Sequence, residues 1–355
     1  EQAMAQVADH YQRLFGHDPS TAELREAYAM RNDTVADAEH RRQLTAFYWW
    51  ASWASVTERP GSEITYTANW PHDELVGNTP IIRARGLDTG PCTLYLTLES
   101  QHPGGSITDR IGLSMIEAAE QRGDIRPGAT LVEGTAGNTG IGLALVAQQK
   151  GYQLILVVPD KMSREKIFNL KAMGAQVVLT RSDVAKGHPD YYQDMAERIA
   201  RETPGAFFIN QFGNPDNPAA HEFGTGPEIL RQLDGKLDAI VFGCGSSGTM
   251  TGLSRCFAKE SPQTELILAD PVGSILEDYI NRGQVVEKSA SWMVEGIGED
   301  FLPPISDFTR VKKAYAISDK ESFLTARELL AKEGILGGSS TGTLLAAALK
   351  YCKEQ

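Results

Sequence analysis

The chain has 355 residues, with 34 Lys and Arg against 46 Asp and Glu, a net charge of −12 at pH 7. This acidic balance argues against nucleic acid or an anionic membrane as the main partner. No run reaches the about 18 apolar residues that a membrane span needs, and the length suits two or three domains.

Four cysteines, Cys92, Cys244, Cys256 and Cys352, are scattered and none forms a CxxC pair. That spacing predicts neither a zinc site nor a disulfide framework, and reduced thiols predict a cytoplasmic protein. No metal ligand set stands out. The opening residues, Glu1-Gln2-Ala3-Met4, carry neither the basic nor the apolar region of a signal peptide. Every lysine lies at or beyond Lys150.

In chain order, residues 1–57 read as helices. Ser20 and Glu23 form a capping box, helical periodicity runs through Met30, and Asn32-Asp33 breaks it. A further helix is predicted over about 36–55, with Phe47, Tyr48, Trp49, Trp50 and Trp53 as an aromatic cluster for a core or an interface. Arg59-Pro60-Gly61 is a turn, and Ile64, Tyr66 and Ala68 alternate with polar residues as in a short strand. A helical segment with one short strand is therefore expected over 1–78, and a second region over 79–355.

From residue 79 the pattern alternates. Apolar strand-like runs fall at 93–98, 130–133, 153–158, 176–179, 206–209, 239–242 and 265–269, and helical patterns fall at 111–122, 140–150 and 163–173. Continuous apolar strands between helices indicate an α/β fold with parallel sheets covered on both faces.

Four loops of small and hydroxyl residues stand at strand ends or helix starts. They are Pro103-Gly104-Gly105-Ser106-Ile107-Thr108-Asp109-Arg110, Gly134-Thr135-Ala136-Gly137-Asn138-Thr139-Gly140, Gly243-Cys244-Gly245-Ser246-Ser247-Gly248-Thr249 and Gly337-Gly338-Ser339-Ser340-Thr341-Gly342. Small residues let backbone N–H groups approach an anion, and a helix N-terminus favours its charge. The third loop is literally GxGxxG, a dinucleotide fingerprint. That reading wants a ribose-binding acid about 20 residues on, and the candidates Glu260 and Glu265 stand at no clear strand end. A tight structural turn is the other reading of each loop taken alone.

Two resemblances carry the reading further. The strings Phe47-Tyr48-Trp49-Trp50, Thr57-Glu58-Arg59-Pro60-Gly61 and Ile64-Thr65-Tyr66-Thr67-Ala68-Asn69-Trp70-Pro71 resemble the non-membrane segment near the N-terminus of quinol-dependent nitric oxide reductases, over about residues 5–80. That family's metal chemistry lies on membrane helices without counterpart here. The four loops in their order, with Pro159-Asp160-Lys161-Met162-Ser163-Arg164-Glu165-Lys166, Gln211-Phe212-Gly213-Asn214-Pro215 and Glu295-Gly296-Ile297-Gly298, resemble cystathionine β-synthase and cysteine synthase. These are fold-type II pyridoxal-phosphate enzymes, and the resemblance covers about 75–355. The two meet at Leu75-Val76-Gly77-Asn78-Thr79-Pro80, which reads as a fusion.

The second resemblance implies two interleaved α/β subdomains and β-replacement on serine or O-acetylserine with a thiol. Gly245, Ser246, Ser247, Gly248 and Thr249 would hold the cofactor phosphate, Asn138 its ring hydroxyl and Ser340 its pyridine nitrogen. Thr135, Ala136, Gly137, Thr139 and Gln211 would grip the substrate carboxylate. Dimeric relatives imply a homodimer. Haem is not expected, because His10, His17, His40 and His72 have no cysteine in their segment. Nor is nucleotide-type activation, because the chain ends near Gln355.

The departure is Thr108, at the family's lysine position. A threonine hydroxyl forms no covalent bond to an aldehyde cofactor and is a poor base at neutral pH. Thr97 and His102 also depart, from a lysine and an asparagine, and His102 reads as a loop histidine. The expectation is an impaired enzyme, with the cofactor bound non-covalently or not at all. The alternatives are a non-catalytic pseudoenzyme or partner-binding scaffold, and a nucleotide-binding enzyme built on the GxGxxG loop.

Overall fold

The computed structural model describes residues 75–135, 137–285 and 291–355. The helices expected over 1–57, the short strand near 64–68 and Ala136 lie outside the described residues.

The chain enters through an antiparallel pair, β1 (Ile81–Arg83) with β2 (Tyr95–Thr97). One four-stranded sheet then has the order β5-β4-β3-β6, from β3 (Thr130–Gly134), β4 (Gln153–Pro159), β5 (Gln176–Thr180) and β6 (Ala206–Phe208), every pair parallel. A second sheet has the order β7-β8-β9, from β7 (Ala239–Gly243), β8 (Glu265–Pro271) and β9 (Val311–Ile317), again parallel. Parallel pairing demands crossovers, and helices supply them. They are α1 (Thr108–Arg122), α2 (Asn138–Lys150), α3 (Arg164–Ala172), α4 (Tyr192–Glu202), α5 (Asp216–Ala220), α6 (Gly226–Gln232), α7 (Gly248–Glu260), α8 (Leu276–Arg282), α9 (Asp319–Glu333) and α10 (Ser339–Lys353). Each sheet has its own core. Met115, Ile116, Leu131, Leu143, Leu156 and Leu170 fill the first, and Phe242, Met250, Leu253, Phe257, Leu266 and Leu268 the second.

The α/β class and all seven expected strand positions hold. β1 and β9 escaped the pattern reading. The first is three residues long, and Lys312-Lys313 interrupt the apolar run of the second. Three helices begin earlier than their apolar periodicity, at Thr108, Asn138 and Gly248. The small-residue loops thus form the first helical turns, where backbone N–H groups lack intrahelical partners.

Two backbone contacts set the position of those turns. A Cβ at Gly142 of α2 would stand 2.8 Å from the Thr108 carbonyl oxygen, and one at Gly112 of α1 would stand 2.7 Å from the Gly142 carbonyl carbon. The helices therefore touch main chain to main chain. Gly142→Val is expected to cost roughly 1–3 kcal/mol by overpacking, read as a lower urea midpoint at unchanged slope. A stability equal to the parent chain would show that α1 and α2 can separate freely.

The loop before α1 is pinned from inside. The Gly77 N–H donates to His102 Nε2 at 3.0 Å, so Nδ1 carries the proton toward the Ser106 carbonyl at 3.1 Å. His102 is buried and structural, as a loop histidine should be. Beyond it, Arg110 is only 6 % exposed. Its guanidinium donates to Glu99 at 2.8 and 3.0 Å, to Glu228 at 2.9 and 3.0 Å, and to Thr79 Oγ1 at 3.1 Å. Every charge in that buried cluster has a partner, which is the condition for tolerating it.

Candidate active site

Thr108 opens α1. Its hydroxyl donates to Ser106 Oγ at 3.1 Å, and its carbonyl is the atom that Gly142 abuts. It therefore lies against the helix that Asn138 starts.

The second loop forms one hydrogen-bonded cluster with Gln211. The Gly137 N–H donates to Thr135 Oγ1 at 3.1 Å, and Thr139 Oγ1 donates to Gln211 Oε1 at 2.9 Å. Gln211 Nε2 in turn donates to Glu133 Oε1 and to the Gly134 carbonyl, each at 3.1 Å. Both Gln211 amide hydrogens are thereby committed, so Gln211 holds the loop in shape. Main-chain N–H groups at the start of α2 are left to meet an anion.

The third loop joins this cluster through a residue the sequence did not mark. Asn217 Nδ2 donates to the Gln211 carbonyl at 2.8 Å and to Ser246 Oγ at 3.0 Å. A Cβ on Gly248 would collide with the Asn217 side chain, so glycine is required there. Ser247 holds φ +72°, a left-handed conformation uncommon outside glycine and found where structure over-determines it. Its hydroxyl is buried without a hydrogen-bond partner among the described residues, as is Asn217 Oδ1. An unspent O–H beside the N-terminus of α7 suits a phosphate. Thr249 Oγ1 lies 3.2 Å from His221 Nε2. Burial pushes His221 down to about 3, so that ring is neutral.

The fourth loop follows. Ser340 is in the first turn of α10, and Leu344 on that helix packs against Gly243, 3.1 Å from its Cβ position. The Glu295 N–H donates to Ser339 Oγ at 3.2 Å, and the Gly298 N–H to the Cys244 carbonyl at 2.8 Å. Gly296 places its carbonyl oxygen 2.8 Å from the Cβ position of Gly245. All four loops are thus linked, from Thr108 through α2 to Gln211, Asn217, Ser246, Gly243 and α10.

Glu133 and Glu299 were also missed. Both read as ordinary acids in sequence, one ending a strand and one beside Asp300. Burial pushes each carboxyl up to about 8, against the opposing hydrogen bonds from Gln211 for Glu133, and with Asp300 and Asp270 adding to the rise for Glu299. A raised carboxyl holds a proton that the unfolded chain, with an ordinary value of 4.5, has already lost. Stability is therefore expected to fall as pH rises through the window from about 4.5 to 8. His221 works oppositely, costing stability as pH drops below 6.5 toward about 3. Urea titrations should show a loss on the order of 2–4 kcal/mol between pH 6 and 8, smaller in Glu133→Gln. An unchanged profile in that variant would mean Glu133 ionises normally in the fold.

Comparison with known proteins agrees with this geometry. Residues 72–355 match the sequence model of the family described as "Pyridoxal-phosphate dependent enzyme", and residues 1–72 match that of the cytochrome c-like domain of nitric oxide reductase. Cystathionine beta-synthase of Saccharomyces cerevisiae is 42 % identical over 292 residues, 79 % of this chain and 57 % of that protein. Cysteine synthase A of Escherichia coli is 40 % identical over 282 residues, 79 % of this chain and 86 % of that protein. The crystal structure of the O-acetylserine dependent cystathionine beta-synthase from Helicobacter pylori superposes with a TM-score of 0.73 at 36 % identity, over 80 % of this chain and 90 % of that one. The chain spans about half the length of the cystathionine beta-synthases it matches. With a family match over residues 72–355 and a cysteine synthase 40 % identical across most of its length, the chain belongs to the pyridoxal-phosphate dependent enzyme family.

Proposed function

We propose that this chain is built for β-replacement on serine or O-acetylserine with a thiol, giving cystathionine or cysteine, and that Thr108 impairs it. The observation that supports this reading most is the position of Thr108. It sits in the first turn of α1, main chain against the helix begun by Asn138.

The residues present fit the phosphate of pyridoxal phosphate. Ser247 brings an unspent buried hydroxyl and α7 its free N–H groups, so Gly245, Ser246, Ser247, Gly248 and Thr249 would hold it. Asn138 would meet the ring hydroxyl and Ser340 the pyridine nitrogen. When bound, the cofactor supplies a sink for negative charge at the amino acid's Cα. Thr135, Ala136, Gly137 and Thr139 would orient the substrate carboxylate, with Gln211 and Glu133 keeping the loop in shape. The residues do not fit covalent attachment. Thr108 offers a hydroxyl already bonded to Ser106, and a threonine does not carry a proton to and from Cα at neutral pH. The cofactor would be held non-covalently. We further propose that 1–78 and 79–355 are separate domains of a fusion, and that the protein is a cytoplasmic homodimer.

The test is the visible spectrum with added pyridoxal phosphate, comparing this protein with Thr108→Lys. A covalent band only in the substituted protein supports the assignment and the lesion. Ordinary turnover with homocysteine or sulfide in the unsubstituted protein overturns the impairment. No cofactor binding by either favours a scaffold that has left the chemistry behind.

A further inference from the structure

We infer that Cys92 and Cys352 form an oxidisable dithiol, which a small disulfide such as oxidised glutathione closes into a bond tying the loop between β1 and β2 to the last turn of α10. No spacing motif pairs these residues in the sequence, where they stand 260 positions apart. The fold pairs them.

The loop is a strap laid over the hairpin of α9 and α10, and it is held at both ends. At the first end the carboxylate of Glu333, the last residue of α9, accepts from the N–H groups of Arg85, Gly86 and Leu87 at 2.9, 2.6 and 3.1 Å. Ala84 and Leu87 pack with Leu329 of α9 and Leu345 of α10. At the second end the chain makes a tight turn. The Cys92 N–H donates to the Thr89 carbonyl at 3.2 Å, and Thr89 Oγ1 donates to the Cys92 carbonyl at 2.7 Å. Gly90 takes φ +56° in that turn, a conformation natural to glycine. Its Cβ position lies 3.6 Å from the Cys352 carbonyl oxygen and 3.9 Å from the Lys353 Cα. Lys353 Nζ stands 3.7 Å from Asp88 Oδ2. The turn that carries Cys92 therefore rests, main chain beside main chain, on the turn that carries Cys352.

The thiols follow the backbones. Cys92 Sγ lies 3.7 Å from the Cys352 carbonyl oxygen. That oxygen is about 2.4 Å from its own Cα, so the Cys92 sulfur stands within about 6 Å of the Cys352 Cα. Burial, and then contact with the Cys92 thiol, pushes Cys352 up to about 12. Both thiols are free, Cys92 half-buried and Cys352 buried. The other two cysteines, Cys244 and Cys256, are buried in the core of the second sheet.

Exposure sets the order of events, because Cys92 is the thiol that a small disulfide reaches. The Cys92 thiolate attacks one sulfur of the reagent disulfide and expels one thiolate. Cys352 then gives up its proton, and its sulfur attacks the Cys92 sulfur of the mixed disulfide and expels the second thiolate. The protein loses two electrons and two protons, and the reagent becomes two thiols. Excess thiol reverses both steps. The closed bond would remove much of the freedom of the unfolded chain, because it joins distant positions. It would also fix the last turn of the helix whose first turn holds Ser340.

The test is incubation of the full, folded chain with oxidised glutathione at about pH 8, where thiolates are more abundant, followed by thiol titration and peptide mass mapping. Loss of two of the four thiols is expected, with the Cys92 and Cys352 peptides joined and no glutathione retained. Cys352→Ser should keep one glutathione on Cys92, and Cys92→Ser should not react. The linked protein should unfold at a higher urea midpoint than the reduced one, and dithiothreitol should remove the gain. A link that forms only in urea, glutathione retained on Cys92 of the unsubstituted protein, links between chains, no reaction, or no gain in midpoint would overturn the inference. If Cys352→Ser fails to fold, the peptide map and the midpoint of the unsubstituted protein decide. None of these results depends on Thr108 or on the cofactor, so the β-replacement reading stands or falls separately.

Discussion

Replacing Thr108 by lysine is expected to raise β-replacement on serine or O-acetylserine by roughly 10²–10⁴-fold or more, the usual contribution of a positioned acid–base group before any covalent gain is counted. The expectation follows from what remains in place. The start of α1 is held by the Gly142 contact, and the Gly104 N–H donates to the buried Asp109 carboxylate, closing the loop that leads into residue 108. Burial pushes Asp109 up to about 6, so at neutral pH it remains mostly a carboxylate and keeps its contact with the Gly104 N–H. Activity should appear together with the covalent absorption band. A band without turnover would locate a second lesion elsewhere in the site, and neither would remove position 108 from the chemistry.

Arg110→Ala is expected to destabilise the protein by about 3–5 kcal/mol, the cost of stranding buried charge. Arg110 lies between Glu99 and Glu228, and both carboxylates also approach Thr79 Oγ1. Burial works to raise Glu228, yet the hydrogen bonds and charge of Arg110 outweigh it and hold that carboxyl below its ordinary value. Without the guanidinium, two carboxylates would face one another with no cation between them. Arg110→Lys should recover only part of the loss, because an ammonium cannot serve two carboxylates and a hydroxyl with a planar fork. The deficit in Arg110→Ala should shrink in acid, where Glu228, no longer held below its ordinary value, takes up a proton. A loss under about 1 kcal/mol by urea titration would mean that water enters and replaces the arginine.

The parallel sheets were legible because strands buried on both faces carry continuous apolar runs, as β3, β4, β7 and β8 do at Leu131-Val132, 154–158, 239–242 and 266–269. The loops were legible because close approach to an anion admits few residue types, and those types recur at four strand or helix ends. Two helix starts were misplaced, by three and two residues, since Thr108 and Asn138 carry no apolar periodicity. The groups that join the loops were not legible. Arg110 meets Glu228 across 118 positions and Thr139 meets Gln211 across 72. Asn217 and Glu299 look like ordinary polar residues until the chain folds. A local pattern reports which face of an element is buried, and it is silent on which distant partner arrives there.

The glycine contact between α1 and α2 bears on how such a protein could change through time. With no side chain between them, neither helix can rotate without displacing the other. The geometry that a covalent anchor would require is written in the main chain, independent of which side chain occupies position 108. An ancestor could lose the anchor in one codon and a descendant regain it in one, with the surrounding architecture needing no redesign.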